Sequence, residues 1–231
     1  MMSSHLALPR RGHLEEIHHV FGYLKKHHNA EMPFDPTPPA VDKELFARQD
    51  WSRSIYGEPG EELPPNMPKP LGKGMTMRTF IDSDHAGESV TRRSRTGFLV
   101  FLNRAPIHWH SKKQTTCETS TFGSEFCAMK QGTEYVRGLR YKLRMMGIPC
   151  SEPTYVFGDN QSVLANTAVP ASQLKKKSNS ISYHFVREGC ARDEWRTAYV
   201  KTHENPADLM TKPLASGEKR SAFIRTMLWW L

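Results

Sequence analysis

The chain has 231 residues and a formal net charge of +8 at pH 7, a length that suits one ordinary domain with an extension. The basic charge favours a polyanionic partner over an acidic small molecule, although many globular proteins are mildly basic. The four cysteines form neither a C-x-x-C pair nor a zinc-binding spacing, no apolar run reaches membrane-spanning length, and no signal peptide precedes the first helix. We therefore expect an intracellular protein with reduced thiols and no membrane partner.

The first third of the chain divides into a helix and a proline-rich segment. Residues 13–28 have a helical period, with apolar side chains along one face and charged ones off it. Nine of the sixteen prolines fall between Met32 and Leu71. Because proline removes a backbone donor and fixes φ, this segment is predicted to be an extended connector, with Trp51, Ile55 and Tyr56 available to pack it onto the folded body.

Five later segments have the pattern of β-strands, and a long helix separates the third from the fourth. The first three lie close together along the chain, so we expect an antiparallel meander. The strand, helix, strand order predicts that the fourth strand pairs in parallel with the first through a right-handed crossover. The predicted fold class is therefore α/β with a mixed sheet. The predicted strands are residues 75–81, 98–102, 107–110, 153–158 and 197–201.

Acidic residues recur where these elements end or begin. Asp82 and Asp84 follow the first strand, Glu125 lies in the first turn of the long helix, Asp159 follows the fourth strand and Asp208 starts a helix after the fifth. Taken singly, an Asp of this kind can cap a turn, and an acid in a first turn can favour the helix dipole. Four converging carboxylates instead call for divalent cations with oxygen ligands, and two such ions would support in-line phosphodiester hydrolysis.

Six short motifs follow one another in a fixed order, at residues 81–87, 92–97, 109–114, 123–126, 158–162 and 205–214. Together, over roughly Met75 to Leu214, they resemble the ribonuclease H domain of copia-type LTR retrotransposon polyproteins. An earlier segment, residues 12–26, resembles the helix that closes the preceding reverse transcriptase region of the same polyproteins. We therefore predict a helical tail over residues 1–31, a connector over 32–74 and an RNase H-like domain over 75–231.

The resemblance implies an RNase H fold: a five-stranded mixed sheet, its first three strands antiparallel, with helices on both faces. It also implies Mg²⁺-dependent cleavage of the RNA strand of an RNA–DNA hybrid, with two ions and Mn²⁺ as a possible substitute. By matching motifs, Asp82, Glu125, Asp159 and Asp208 are the expected catalytic and metal-binding carboxylates, and Asp84 is supporting. His203 resembles a loop histidine that some cellular enzymes use for proton transfer, or is simply an exposed loop residue.

A hybrid of near A-form geometry displays 2′-hydroxyls in a wide, shallow minor groove, so we expect backbone contacts and little sequence preference. The candidate sugar contacts are Ser83, Asn160 and Gln161, and the candidate phosphate contacts are Arg92, Arg93, Lys112 and Lys113. A further stripe on the long helix, Arg137, Arg140 and Arg144, is either a solvated face or the border of a phosphate track.

Several alternatives remain open at this stage. The chain has no Tyr-x-Asp-Asp polymerase motif, so a complete reverse transcriptase is excluded, and the polymerase region of a parent polyprotein is an expected partner. The surviving carboxylates favour a ribonuclease, while a catalytically inactive remnant that binds nucleic acid or serves a structural role is the alternative. An integrase or junction nuclease fits the motifs less well. A cytoplasmic virus-like particle and the nucleus are both compatible locations.

Overall fold

The helices and strands follow the predicted order along the chain. The computed structural model describes residues 6–88, 90–174 and 177–230, and short 3₁₀ turns lie at residues 43–46, 177–179 and 202–204. The regular elements are α1 (Arg11–Lys26), β1 (Ala30–Glu31), β2 (Met77–Asp84), β3 (Arg95–Leu102), β4 (Ala105–Lys113), α2 (Thr121–Met145), β5 (Thr154–Gly158), α3 (Gln161–Ala168), α4 (Ser180–Ala191), β6 (Trp195–Tyr199), α5 (Asp208–Thr211), α6 (Glu218–Arg225) and β7 (Trp229–Trp230).

Five of the strands form one mixed sheet in the order β4-β3-β2-β5-β6. The pairs β2–β3 and β3–β4 are antiparallel, whereas β2–β5 and β5–β6 are parallel. The predicted meander and the predicted parallel pairing of the first and fourth strands are both confirmed. The α/β fold class, with the RNase H-like sheet that the resemblance implies, is confirmed as well.

One face of the sheet is covered by α2, with α3 and α4 beside it. A Cβ atom at Gly132 of α2 would lie 2.5 Å from Cδ1 of Ile81 in β2, so a glycine lets the helix approach the sheet closely. Burial of apolar area between these layers supplies the main stabilisation of the domain. The core includes Phe98, Val100, Phe126, Met129, Val136, Val156, Val186 and Trp195.

The opposite face is covered by the connector and by α5. Phe46 of the connector is 2% exposed, and its ring lies 4.8 Å from that of Tyr155 and 5.0 Å from that of Phe157. A Cβ atom at Gly97 of β3 would lie 2.5 Å from Cγ2 of Thr211 in α5, so this short helix rests directly on the strand. Elements therefore pack on both faces of the sheet.

The connector has little regular structure but is fastened to the helical layer. Trp51 is 2% exposed and packs against the guanidinium of Arg187, which lies 4.9 Å from its ring. Tyr56 also packs against Arg187, whereas Ile55 is exposed, contrary to the expectation that it packs inward. The division between residues 74 and 75 stays a prediction.

The arginine stripe of α2 is neither a solvated face nor a phosphate border. Arg140 and Arg144 are buried, and both bind the carboxylate of Glu61 in the connector. Arg137 binds the buried carboxylate of Glu194. Both expectations for the stripe were wrong. The arginines form ion pairs with acidic residues that are distant in the sequence, and the helix pattern does not indicate these partners.

Strand β4 extends beyond its predicted end at residue 110, because polar residues continue its pairing with β3. Strand β4 runs through Lys113 because its backbone pairs with β3 as far as Arg95, although its exposed side chains there are polar. Helix α6 ends at Arg225, and Trp229 pairs with Glu31 in a two-stranded ladder. The apolar face of α1 is exposed, and no residue of that helix is buried.

A candidate carboxylate centre at the edge of the sheet

Three of the predicted carboxylates lie together. Asp82 in β2, Glu125 in α2 and Asp159 immediately after β5 each offer an oxygen within 4.8 Å of the others. Asp82 and Asp159 meet because β2 and β5 are parallel neighbours, so their carboxyl ends share one edge of the sheet. Glu125 lies in the second turn of α2 rather than the first, since that helix begins at Thr121 behind the capping hydroxyl of Ser120.

Crowding and burial keep protons on this cluster. Burial, together with the charges of Asp82 and Asp159, raises the pKa of Glu125 to about 9. Burial also raises the pKa of Asp82 to about 6, although Lys212 and the hydroxyl of Thr211 oppose that rise. Because an ionised carboxylate in this place is costly without a counterion, the cluster favours a proton or a cation.

The fourth predicted carboxylate is paired differently. Asp208 is 1% exposed, and Oδ1 accepts a hydrogen bond from Nζ of Lys212 at 2.7 Å, while Oδ2 accepts one from Nζ of Lys219 at 2.5 Å. Burial raises the pKa of Asp208, but the two lysines outweigh it and hold the pKa below its ordinary value. Four carboxylates were expected to converge. Three of them form the cluster, and the fourth, Asp208, is paired with the ammonium groups of two lysines.

Lys212 and Thr211 connect Asp208 to the cluster. The Lys212 Nζ atom lies 3.4 Å from Oδ2 of Asp82, and the Thr211 hydroxyl donates a hydrogen bond to the same oxygen. Sequence reasoning missed Thr211, Lys212 and Lys219 as members of the site. A signal was present for Lys212, because it lies four residues after Asp208, a spacing at which opposite charges meet on a helix.

A buried amide fixes α5 against β2. The Asn205 side chain donates to the Ile81 carbonyl at 2.9 Å, and its Oδ1 accepts from the backbone N–H of Ala207 at 3.1 Å. Asn205 is completely buried, so both bonds are shielded from water. They bring the start of α5, and with it Asp208, to the edge where β2 ends.

The predicted sugar contacts occupy different environments. Ser83 is 4% exposed, and its hydroxyl donates to Oγ of Ser124 at 3.1 Å. In the free protein this hydroxyl faces the interior beside Glu125, and the sugar contact of Ser83 stays a prediction. Asn160 caps α3 by accepting from the backbone N–H of Val163 at 3.2 Å, while Gln161 is exposed.

The predicted phosphate contacts lie on the surface at the open end of the β3–β4 hairpin, next to the end of β2. Arg92 and Arg93 are exposed in the turn between β2 and β3, and Arg92 adopts a left-handed φ of 55°. Lys112 is exposed, whereas Lys113 is partly buried with Nζ 3.9 Å from a carboxylate oxygen of Glu88. These four cations are accessible, and their role stays a prediction.

Two further predicted residues lie at the margin. The His203 side chain is 69% exposed, and its Nε2 atom lies 3.4 Å from the carboxylate of Glu204. Asp84 ends β2 opposite Arg95, and its carboxylate fills the space that a Cβ atom at Gly87 would need. The structure thus explains the glycine of the Asp84 motif, while the proton-transfer role of His203 stays a prediction.

Sequence comparison identifies relatives of this chain. It is 29% identical over 144 residues to the retrovirus-related Pol polyprotein from transposon RE2 of Arabidopsis thaliana, covering 62% of this chain and 10% of that protein. It is 30% identical over 152 residues to the corresponding polyprotein from transposon RE1 of the same plant, covering 66% and 10%. A third relative, at 29% identity, is the retrovirus-related Pol polyprotein from transposon TNT 1-94 of Nicotiana tabacum, so these homologues are copia-type Pol polyproteins. The chain spans about a tenth of the length of these relatives, and no protein-family model matches it.

The solved structures that resemble this chain include ribonucleases H. RNase H1 from the archaeon Halobacterium salinarum NRC-1 matches 59% of this chain and 94% of its own, at 14% identity and a TM-score of 0.46. LC11-RNase H1 in complex with an RNA/DNA hybrid matches 59% and 94%, at 11% identity and a TM-score of 0.47. The strand order of the sheet carries the fold assignment by itself. Over residues 6–88, 90–174 and 177–230, no helix has the length and apolar character needed to cross a membrane.

Proposed function

We propose that this chain is a ribonuclease H domain of a transposon Pol polyprotein, which cleaves the RNA strand of an RNA–DNA hybrid with the help of Mg²⁺. The observation that carries the proposal is the meeting of Asp82, Glu125 and Asp159 within 4.8 Å at the edge of this sheet. The homology to Pol polyproteins supports the same assignment, because hybrids arise during reverse transcription.

The three carboxylates fit a divalent ion. Mg²⁺ takes oxygen ligands at about 2.0–2.1 Å, so oxygens on opposite sides of the ion are about 4 Å apart. The spread of 4.8 Å therefore requires only small side-chain movements. Bound Mg²⁺ would activate water and stabilise the leaving oxygen of the phosphodiester. Mn²⁺ in place of Mg²⁺ would be held by the same three carboxylates. A second ion would need further oxygens, which Asp82 and Asp208 would supply.

The remaining roles fall to residues around this centre. We assign phosphate binding to Lys112, Lys113 and the two arginines of the β2–β3 turn, because these cations are exposed or partly exposed near the same strands. Asn160 and Gln161 follow Asp159 directly and are the candidate contacts to sugar hydroxyls. His203, in its exposed turn, is the candidate for proton transfer. The polymerase region of the parent polyprotein is the expected partner that delivers the hybrid.

One observation favours a second candidate, a module that binds nucleic acid without cleaving it. Lys212 and Lys219 already neutralise Asp208, so one of the four expected ligands is engaged within the protein. A cleavage assay separates the two functions.

The test is cleavage of labelled RNA–DNA hybrid by the full chain with Mg²⁺, with Mn²⁺ and with chelator. Asp159→Asn keeps the shape but removes a charge, and we expect activity to fall by orders of magnitude because a lost ligand misplaces the ion. Asp35→Asn is the matched control, since that carboxylate belongs to the connector and pairs loosely with Arg104 at 3.9 Å. Full activity of Asp159→Asn would refute its catalytic role, and a folded wild-type chain that cleaves no hybrid would refute the enzyme.

A further inference from the structure

An ammonium group lies between two buried carboxylates of the proposed site. The Lys212 Nζ atom is 2.7 Å from Oδ1 of Asp208 and 3.4 Å from Oδ2 of Asp82. Both carboxylates are 1% exposed, so bulk water contributes little to neutralising them. Lys212 is thus the counter-cation that Asp82 and Asp208 share.

Charge balance indicates how many divalent ions the free protein accommodates. Oδ2 of Asp208 is already taken by Lys219 at 2.5 Å, and Oδ1 by Lys212, so each of its oxygens has an ammonium partner. When all four carboxylates are ionised, the two lysines balance two of the four negative charges. A net charge of minus two remains at the cluster of Asp82, Glu125 and Asp159, and one divalent ion balances it.

Lys212 is placed so that its side chain is able to withdraw without unfolding the site. The side chain is 37% exposed, and the residue follows the end of α5 with an extended backbone and a proline after it. The Thr211 hydroxyl also donates a hydrogen bond to Asp82, so this carboxylate has a partner other than the ammonium. Among the described contacts, Lys219 reaches Asp208 and not Asp82, so the bridge between the two carboxylates depends on Lys212.

We propose that Lys212 is a tethered cation that holds the second cation position, between Asp82 and Asp208, in the free protein. This inference rests on the proposed function, because it assumes that Asp82, Glu125 and Asp159 bind a divalent ion. The free chain then takes up one ion, since a second ion beside the ammonium would be strongly repelled. The second ion enters only when the Lys212 side chain swings out towards solvent.

The test is the number of Mn²⁺ ions that the free full chain binds, measured by electron paramagnetic resonance and by calorimetry without nucleic acid. We expect one ion for the wild type and two for Lys212→Met, with affinity at the second position raised about tenfold or more by loss of the competing charge. Lys212→Arg keeps the charge and should bind one ion. Lys142→Met, an exposed lysine of α2, is the matched control and should also bind one.

The outcomes separate this inference from the proposed function. Two ions in the wild type, or one ion in Lys212→Met, would overturn the role of Lys212 and leave the three-carboxylate site intact. No bound ion in either protein would remove the metal site and the inference with it. If Lys212→Met does not fold, amine labelling of the wild type decides: labelling of Lys212 should rise as a second Mn²⁺ binds while that of Lys142 stays constant, and unchanged labelling of Lys212 would overturn the inference.

Discussion

The carboxylate of Glu61, in the connector, receives a two-pronged hydrogen bond from Arg140, which lies 79 residues later in α2, at 2.8 Å from Nε and 2.7 Å from Nη2. Arg144 binds the same carboxylate with both terminal nitrogens, and Arg140 is 3% exposed. A buried pair of this kind costs desolvation when it forms, but breaking it leaves an unpaired charge inside the protein. The connector is therefore held to the helical layer by an ion pair whose loss is expensive.

Glu61→Gln should lower the free energy of unfolding by about 3 kcal/mol, because two buried guanidinium groups lose their shared counterion. Equilibrium denaturation of the full chain measures the change. Glu62→Gln is the matched control: the Glu62 side chain is 86% exposed and pairs only with Arg192 among the described contacts, so its loss should cost under about 1 kcal/mol.

The difference between Glu61→Gln and wild type should also depend on pH. Burial raises the pKa of Glu61, but Arg140 and Arg144 outweigh it and hold that pKa below the ordinary value. A depressed pKa adds stability above the unfolded-state pKa and loses it as pH falls through the folded-state one. The two proteins should converge in acid, and equal stability at neutral pH would show that the ion pair does not hold the connector.

The parts of the fold that the sequence predicts are those set by local pattern and chain order. Alternation and apolar runs locate the strands, and the handedness rule for strand–helix–strand units brings Asp82 beside Asp159. Strand alternation also predicts the face of the sheet on which Ser83 lies, which the motif match does not show. Neighbouring strand residues point to opposite faces, so Ser83 shares a face with Ile81 and turns under α2.

Long-range pairings are the parts that the sequence does not predict. The arginine stripe of α2 has the spacing of a solvated face, and nothing within the helix indicates that Glu61 will bury it. The same is true of Lys219, whose partner Asp208 lies on a preceding helix. Periodicity predicts which face of a helix a residue occupies. Which distant residue contacts that face depends on the tertiary path of the chain.

Glu125 should make the stability of the metal-free protein fall as pH rises. Its pKa is about 9 in the folded state, so between pH 6 and 9 the folded chain binds more protons than the unfolded chain, and the free energy of unfolding decreases. We expect the free energy of unfolding to fall by at least about 1.4 kcal/mol across this range, which corresponds to a pKa shift of one unit. This fall should be absent in Glu125→Gln. Denaturation in chelator at several pH values measures it.

Two comparisons support the assignment of this slope to Glu125. Glu134→Gln, on an exposed site of the same helix, should keep the wild-type slope. Added Mg²⁺ should flatten the slope of the wild type, because a bound cation favours the ionised carboxylates. A Glu125→Gln protein with the full wild-type slope would show that another group titrates in this range. Asp82, with a pKa of about 6, contributes mainly below it.

Binding to a hybrid should weaken steeply with salt if the two lysines at the end of β4 contact phosphates. Replacing Lys112 and Lys113 by Gln should reduce the slope of log affinity against log salt by about 1 to 2 units. Lys43→Gln is the control, because Lys43 lies on the connector and pairs with Glu152 at 2.8 Å. Binding isotherms at several salt concentrations measure the slope, and an unchanged slope would mean that both lysines face solvent in the complex.

The close packing of α5 on β3 should affect activity as well as stability. A Cβ atom at Gly97 would lie 2.5 Å from Cγ2 of Thr211 and 2.7 Å from Cβ of Met210, so Gly97→Ala must push α5 away from the strand. We expect the free energy of unfolding to fall by about 1–3 kcal/mol from overpacking. Hybrid cleavage by the folded variant should fall as well, because Asp208 and Lys212 move with the helix.

Gly138→Ala is the matched control: it lies in α2 with nothing within 4 Å of the added carbon, and it should stabilise the chain by about 0.5–1 kcal/mol. Denaturation and cleavage are measured on the same preparations at a temperature where both variants are folded. Wild-type activity of Gly97→Ala under those conditions would show that the position of α5 does not matter for the reaction.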